Sequence, residues 1–189
     1  RTVDDMEANM APLLKTFLKD YTVQSRLKGL GVLTREQAIL QGAVGPMLRA
    51  SGEEYDVRML GYGAYGDLNV EPVTAKAGDA YARCEVRLKE ILQSFRLIRE
   101  AIDKIPEGPI SVPVKGNPSG EYFMRIEQPR GEAIYYVKGN GTKNLDRFRL
   151  RTPTTSNIAP MVELMKGCQL ADVPLIILTI DPCISCTER

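Results

Sequence analysis

Asp181-Pro182-Cys183-Ile184-Ser185-Cys186-Thr187-Glu188-Arg189 closes the chain and sets two cysteines three apart directly after an apolar run. A Cys-x-x-Cys turn lets two thiolates converge on one ion, and thiolates select soft or borderline metals such as zinc, nickel, copper(I) or iron in clusters. Four ligands are usual and two are present. The 189 residues contain no histidine and only two further cysteines, Cys84 and Cys168, far apart in sequence. The remaining ligands are therefore expected from outside this chain.

Outward from that motif, the bulk properties are those of an ordinary soluble protein. A length of 189 residues with 43% apolar content supports a single domain over 1–189 with a proper core. A net charge of +1 gives no reason to expect a nucleic-acid partner. Arg147, Arg149 and Arg151 read as a solvated strand face. Four cysteines without a signal peptide argue for a reducing compartment, hence a cytoplasmic location. The apolar run Leu175 to Leu178, with Ile180 beyond, is far short of the about 20 residues a membrane helix needs, so membrane association has to come through partners. The opening residues run straight into a helical pattern without an initiator methionine, as expected of a piece of a longer protein.

In chain order, Val3, Met6, Met10, Leu13, Leu14, Phe17 and Tyr21 recur at helical steps, predicting one amphipathic helix with a buried stripe and a kink at Pro12. Thr34-Arg35-Glu36-Gln37 reads as a capping box for a short helix closed by Gly42. From Gly45 to Gly66 the pattern is irregular and predicts a structured loop packed on the core. Its glycines do not form a phosphate-cradling loop, because no strand precedes them and no Gly-Lys-Ser/Thr follows. Asp79 caps the longest helical pattern, whose apolar face runs through Tyr81, Cys84, Leu88, Ile91, Leu92, Phe95, Ile98, Ile102 and Ile105 to Pro106. Cys84 on that face reads as a small buried hydrophobe.

Pro106 to Pro118 is a connecting segment rich in proline and glycine. Strand-like runs follow at Glu121 to Ile126 and Glu132 to Val137, joined by the turn Gln128-Pro129-Arg130-Gly131. A second turn at Gly139-Asn140-Gly141 leads to a third strand through Phe148 and Leu150. Thr152 to Asn157 offers several hydroxyl caps for a helix whose buried face is Met161, Val162, Leu164 and Met165, ending at Gly167. Leu170 to Ile180, with Pro174 inside it, delivers the cysteine pair. The expected class is α+β, predominantly helical, with a small antiparallel β-meander.

Asp181-Pro182-Cys183-x-x-Cys186-x-x-Arg189 resembles the C-terminal ligand motif of nickel–iron hydrogenase large subunits, in the arginine-ended form of the membrane-bound, energy-converting or formate-hydrogenlyase-like group. Gly45-Pro46-x-x-Arg49-Ala50-Ser51-Gly52, Gly78-Asp79-x-Tyr81-x-Arg83, Gln128-Pro129-Arg130-Gly131-Glu132 and Leu170-Ala171-Asp172 resemble blocks shared by that group and the quinone-facing large subunit of respiratory complex I. The complex I relative is similar in fold but lacks the cysteine ligands.

The resemblance implies a C-terminal portion of a large subunit that interconverts hydrogen with protons and electrons at a Ni-Fe centre, nickel with an iron carrying carbon monoxide and cyanide. It implies Cys183 as a terminal nickel ligand and Cys186 as a bridge between nickel and iron. Arg130, after Pro129, matches the arginine that overhangs the iron. Pro153 and Thr154 match the segment lining its other side, and Asp181 the acidic residue that orients the arginine. Apart from the resemblance, Arg130 reads as a surface arginine in a turn, and Thr154 and Asp181 read as helix caps.

The other Cys-x-x-Cys of the family is absent, so this chain alone is expected to lack the Ni-Fe centre and to be inactive. The implied partners are the N-terminal portion of the same subunit, an iron–sulfur small subunit and membrane subunits, at the inner face of the cell membrane. The alternative is a non-catalytic, complex I-like subunit of an NADH/quinone oxidoreductase that docks an iron–sulfur partner. A third reading, a zinc module, requires Cys84 and Cys168 to join Cys183 and Cys186.

Overall fold

The computed structural model describes residues 2–188; Arg1 and Arg189, the arginine that ends the cysteine motif, lie outside the described residues. The chain is helical with one three-stranded antiparallel sheet, as the sequence implies. Helix α1 (Thr2–Lys19) contains Pro12 and stops before Tyr21, because Asp20 caps a second helix, α2 (Tyr21–Leu27), accepting the Val23 N–H at 2.9 Å. The expected single stripe is not buried. Only Leu14 of α1 is enclosed, while Leu13, Phe17 and Tyr21 are exposed, because α1 packs on one side only and the rest of its apolar surface lines an open groove with Leu88.

Helix α3 (Arg35–Leu40) carries the reciprocal capping box. The Gln37 N–H donates to the Thr34 hydroxyl at 3.2 Å and the Thr34 N–H to Gln37 Oε1 at 3.1 Å. The stretch expected as a packed loop is in part a helix, α4 (Pro46–Ala50), with every residue buried. Five residues are too few to display a helical period, so only Pro46 at the first helical position signals it. Beyond it, two 3-10 turns at Val57–Leu60 and Tyr65–Asp67 carry the chain to the next helix.

Helix α5 (Ala80–Lys104) starts where expected. Asp79 accepts the Ala82 N–H at 2.7 Å and, with its second oxygen, the Gly29 N–H at 2.8 Å. Its buried face differs from the apolar stripe. Ala80, Ala82, Arg83, Val86, Gln93, Phe95 and Leu97 are enclosed, whereas Ile98, Ile102 and Ile105 are exposed and Cys84 is only half-buried. Small residues let α4 and α7 approach closely on that side. There the Arg83 guanidinium lies 1% exposed, donating to Thr179 Oγ1 (3.1 Å), Gly31 O (2.9 Å) and Gly78 O (2.8 Å). These bonds tie α5 to the Leu30 loop and to the segment that delivers the cysteines.

Strands β1 (Ser119–Gln128), β2 (Gly131–Asn140) and β3 (Leu145–Arg151) pair in sequence order, with Gln128 opposite Gly131 and Pro129-Arg130 at the hairpin tip. The second turn falls later than expected. Gly139 and Asn140 still belong to β2, and the turn follows from Asn140, whose side-chain oxygen accepts from the Thr142 N–H at 3.0 Å. Helix α6 (Pro153–Leu164) buries Leu164 but leaves Val162 exposed. Then α7 (Val173–Ile180) and the short α8 (Ile184–Thr187) complete the chain. The core joins α3, α4, α6 and α7 through Leu33, Ala38, Met47, Leu48, Leu164, Ile176 and Ile180.

The hairpin tip is seated by two glycines back to back. A Cβ on Gly45, which sits at φ +65°, would lie 2.4 Å from Gly131 Cα, and one on Gly131 would lie 2.7 Å from Gly45 N. Gly45→Ala is therefore expected to lower folding stability by about 2–3 kcal/mol through backbone overlap and left-handed strain. A shift in urea midpoint equivalent to less than about 0.5 kcal/mol would show that the tip can move away freely.

Candidate functional site

Four pieces of chain meet around the cysteine pair. Helix α7 ends at Asp181, which adopts a left-handed conformation (φ 60°, ψ 59°) and donates its N–H to Ile177 O and Leu178 O. Asp181 is the only described non-glycine residue with positive φ, a conformation that costs about 1–3 kcal/mol and persists only where neighbours impose it. Cys183 then opens α8, and its carbonyl accepts the Cys186 and Thr187 N–H groups at 3.1 Å. One helical turn therefore separates the two cysteines and places them on one side.

The start of α6 clamps the motif at both ends. The Cys183 N–H donates to Thr154 Oγ1 at 3.2 Å, and the Thr152 hydroxyl donates to Cys186 O at 2.7 Å. Pro153, fully buried between them at the first helical position, fixes the approach. The helix cap is Thr152 rather than Thr154, which leaves the Thr154 hydroxyl for the cysteines. Ser185 Oγ lies 3.1 Å from the Cys183 sulfur. That hydroxyl, then the Cys186 N–H and thiol, hold the Cys183 thiol down to about 7. Burial, followed by the hydrogen bond to Cys183 and the charge there, pushes Cys186 up. One sulfur is thus ready to be a thiolate and the other is enclosed beside it.

Arg130, at the hairpin tip, reaches the end of α7. Its Nε donates to Asp181 O at 2.8 Å and its Nη2 meets Asp181 Oδ1 at 3.2 Å. Asn157 steadies the tip from α6, bonding both the N–H and the carbonyl of Val44 (2.9 and 3.2 Å) and Arg130 O (3.5 Å). The structure thus brings Arg130, Asp181, Thr154, Cys183 and Cys186 together, with Pro129 and Pro153 in the backbone that carries them. Asp181 both caps α7 and bonds Arg130.

Several members escape a reading by motif. Arg87 of α5 donates to Ile180 O at 2.7 Å and lies 3.5 Å from Asp181 Oδ2. Its place four residues after the buried Arg83, on the same helix face, is the available signal. Arg49, within the Gly45 to Gly52 block, is 1% exposed and binds Glu90 (2.8 Å) and Glu127 (2.9 Å). Cys168 packs against the core cluster and Cys84 lies on α5, so neither joins the pair. Among the described residues no group of three or more histidine, cysteine or acidic side chains could hold a metal. The donor set is two thiolates, which fits half of a four-thiolate site and requires the other half from elsewhere.

The helical scaffold with its three-stranded sheet is the large-subunit fold shared by hydrogenases and complex I. The chain matches the family described as respiratory-chain NADH dehydrogenase, 49 Kd subunit, over residues 1–117 and 114–189, and it belongs to that family. It is 42% identical to the carbon monoxide-induced hydrogenase of Rhodospirillum rubrum, over 89% of this chain and 47% of that protein. It is 38% identical to the alpha subunit of the membrane-bound hydrogenase of Pyrococcus furiosus, over 92% and 45%. With an NADH-quinone oxidoreductase subunit of Dehalococcoides mccartyi it shares 36% over 95% and 54%. A chain of the membrane-bound sulfane sulfur reductase, an archaeal respiratory membrane complex, superposes with a TM-score of 0.91 at 32% identity, covering all of this chain and 53% of its own length. The chain thus spans about half the length of these relatives. No helix among the described residues is long and apolar enough to cross a membrane.

Proposed function

We propose that this chain is the C-terminal portion, carrying one of two cysteine pairs, of a hydrogenase large subunit that converts hydrogen to two protons and two electrons and back. The observation that supports this reading is the thiol pair, Cys183 partly exposed and Cys186 enclosed, with the charge of an arginine fixed by Asp181 acting on both. Cys183 and Cys186 would hold a Ni-Fe centre jointly with two thiolates from the rest of the subunit. When bound, such a centre supplies the Lewis acidity and redox capacity for splitting hydrogen. The chain's own residues do the remaining work. Cys183, acidified by Ser185, offers a thiolate that can also take a proton. Arg130 supplies positive charge that favours the thiolates, and Thr154 fixes the Cys183 backbone. Electrons would leave through an iron–sulfur small subunit, and membrane subunits would hold the assembly at the inner face of the cell membrane.

In the full-length protein, elemental analysis is expected to find one nickel per large subunit, and hydrogen is expected to reduce a dye acceptor. The isolated 189-residue chain is expected to hold no stoichiometric nickel. The identity with the NADH-quinone oxidoreductase relative supports a second reading, a complex I-like docking subunit. Absence of both nickel and hydrogen uptake in the full-length protein would establish that reading instead.

A further inference from the structure

A cavity of about 430 Å³ is lined at one end by Pro129, Arg87 and Asp181, the residue two before Cys183, and at the other by Arg49, Arg58, Glu90 and Glu127. Its volume and polar walls suit several water molecules, each needing about 30 Å³. The charges along it are unevenly shared. At the inner end three carboxylates, Asp56, Glu90 and Glu127, face two guanidinium groups, Arg49 and Arg58. At the mouth the balance reverses, with Arg87 and Arg130 both against Asp181.

The inner excess can be placed. Arg58 forks onto Asp56 at 2.6 and 3.0 Å, and its N–H donates to the same carboxylate at 3.0 Å, so that these bonds, with the Arg49 charge, outweigh burial and hold Asp56 below the usual carboxylate range. Glu90 and Glu127 share Arg49, on Nε at 2.8 Å and Nη1 at 2.9 Å, with Asp56 a more distant third partner at 3.4 Å. Glu127 also accepts the Val57 N–H at 3.3 Å. The other groups around the pair are the Tyr55 and Tyr62 hydroxyls and, one step further, Arg125, which is engaged by Tyr55 and Glu132. Glu90 is approached from its own helix by Arg87. Among the described residues Arg49 is the one cation paired directly with Glu127, while Arg58, held on Asp56, acts on Glu127 and Glu90 only through its charge.

The geometry points to Glu127, with Glu90 across Arg49, as a proton-holding pair that exchanges one proton with the water of this cavity and thereby with the cysteine edge. A hydronium ion gives its proton to a carboxylate oxygen, one O–H bond breaking and one forming, and leaves water behind. No electrons move and Arg49 stays charged. Burial, outweighing the pull of Arg49, pushes Glu127 up to about 6 and pushes Glu90 up as well, so the pair can load and unload near neutral pH. This deepens the hydrogen-splitting reading by giving the released proton a destination, but the titration itself does not depend on that reading.

The test is infrared difference spectroscopy against pH on the full-length protein, with and without glutamate carrying carboxyl carbon-13. A protonated carboxyl band that shifts with the label and disappears with a midpoint near pH 6 is expected. Glu127→Gln is expected to remove it without changing nickel content, and Glu90→Gln to move its midpoint. If the protein takes up hydrogen, Glu127→Gln is expected to lower the rate about a hundredfold and to erase an inflection near pH 6. The proposal is overturned if no glutamate band titrates between about pH 5 and pH 7, or if the band persists unchanged in both variants. Should a variant fail to fold, the labelled wild-type titration decides alone. Lack of nickel would overturn the hydrogenase reading and leave the band in place.

Discussion

Replacing Arg49 with methionine is expected to cost about 3–5 kcal/mol of folding stability. Arg49 is 1% exposed and answers Glu90, Glu127 and Asp56 at 2.8, 2.9 and 3.4 Å while also donating to Tyr55 O at 3.1 Å. Methionine fills much of the volume but strands two carboxylates. The chain then either buries uncompensated charge or protonates it, and the second route makes the cost depend on pH. In the wild-type protein Glu127 stands at about 6 against an ordinary 4.5, so its contribution is fully present below 4.5 and is lost as pH rises through 6. Asp56 has the opposite sign, since its lowered value gives stability that is lost as pH falls. Without Arg49 the Glu127 and Glu90 values climb further. The deficit of Arg49→Met, read from urea midpoints, is therefore expected to shrink on going from about pH 8 to about pH 5. A deficit that stays flat over that range would mean that lost packing, not lost charge pairing, sets it.

That buried network also marks where sequence reading stops. Periodicity finds a helix but assigns its faces by hydrophobicity, and on α5 this selects Ile98, Ile102 and Ile105, which are exposed, over Ala82, Arg83 and Val86, which are enclosed. Small residues leave little apolar signal, yet they permit the closest approach. Arg83 and Arg49 are enclosed because carbonyls or carboxylates meet their donors, and such partners lie 41 to 96 positions away for Glu90, Glu127 and Thr179. Local pattern cannot register bonds of that span. The hairpin at Pro129-Arg130 and the capping box at Thr34 are legible because their causes are local. The cysteine edge is legible by resemblance, not by physics: nothing in the spacing of Arg130, Thr154 and Asp181 announces that they meet.

Arg130→Lys is expected to leave the fold nearly unchanged and to lower hydrogen turnover of the full-length protein about 100- to 1,000-fold. The stability side follows from exposure. The Arg130 and Asp181 side chains are 29% and 42% exposed, so their ion pair contributes at most about 1 kcal/mol. The activity side follows from shape. Arg130 meets a backbone carbonyl with Nε and a carboxylate oxygen with Nη2 at once, which fixes the plane of the guanidinium relative to Asp181, two residues before Cys183. Lysine keeps the charge but is a single flexible point that cannot make both bonds from one fixed plane. Its ammonium group would follow the Asp181 carboxylate and retreat from the thiols. Nickel content is expected to stay at the wild-type level, because neither cysteine is touched. An Arg130→Lys protein that retains nickel and full turnover would show that charge alone suffices. One that loses nickel would make Arg130 a determinant of metal assembly, not of turnover.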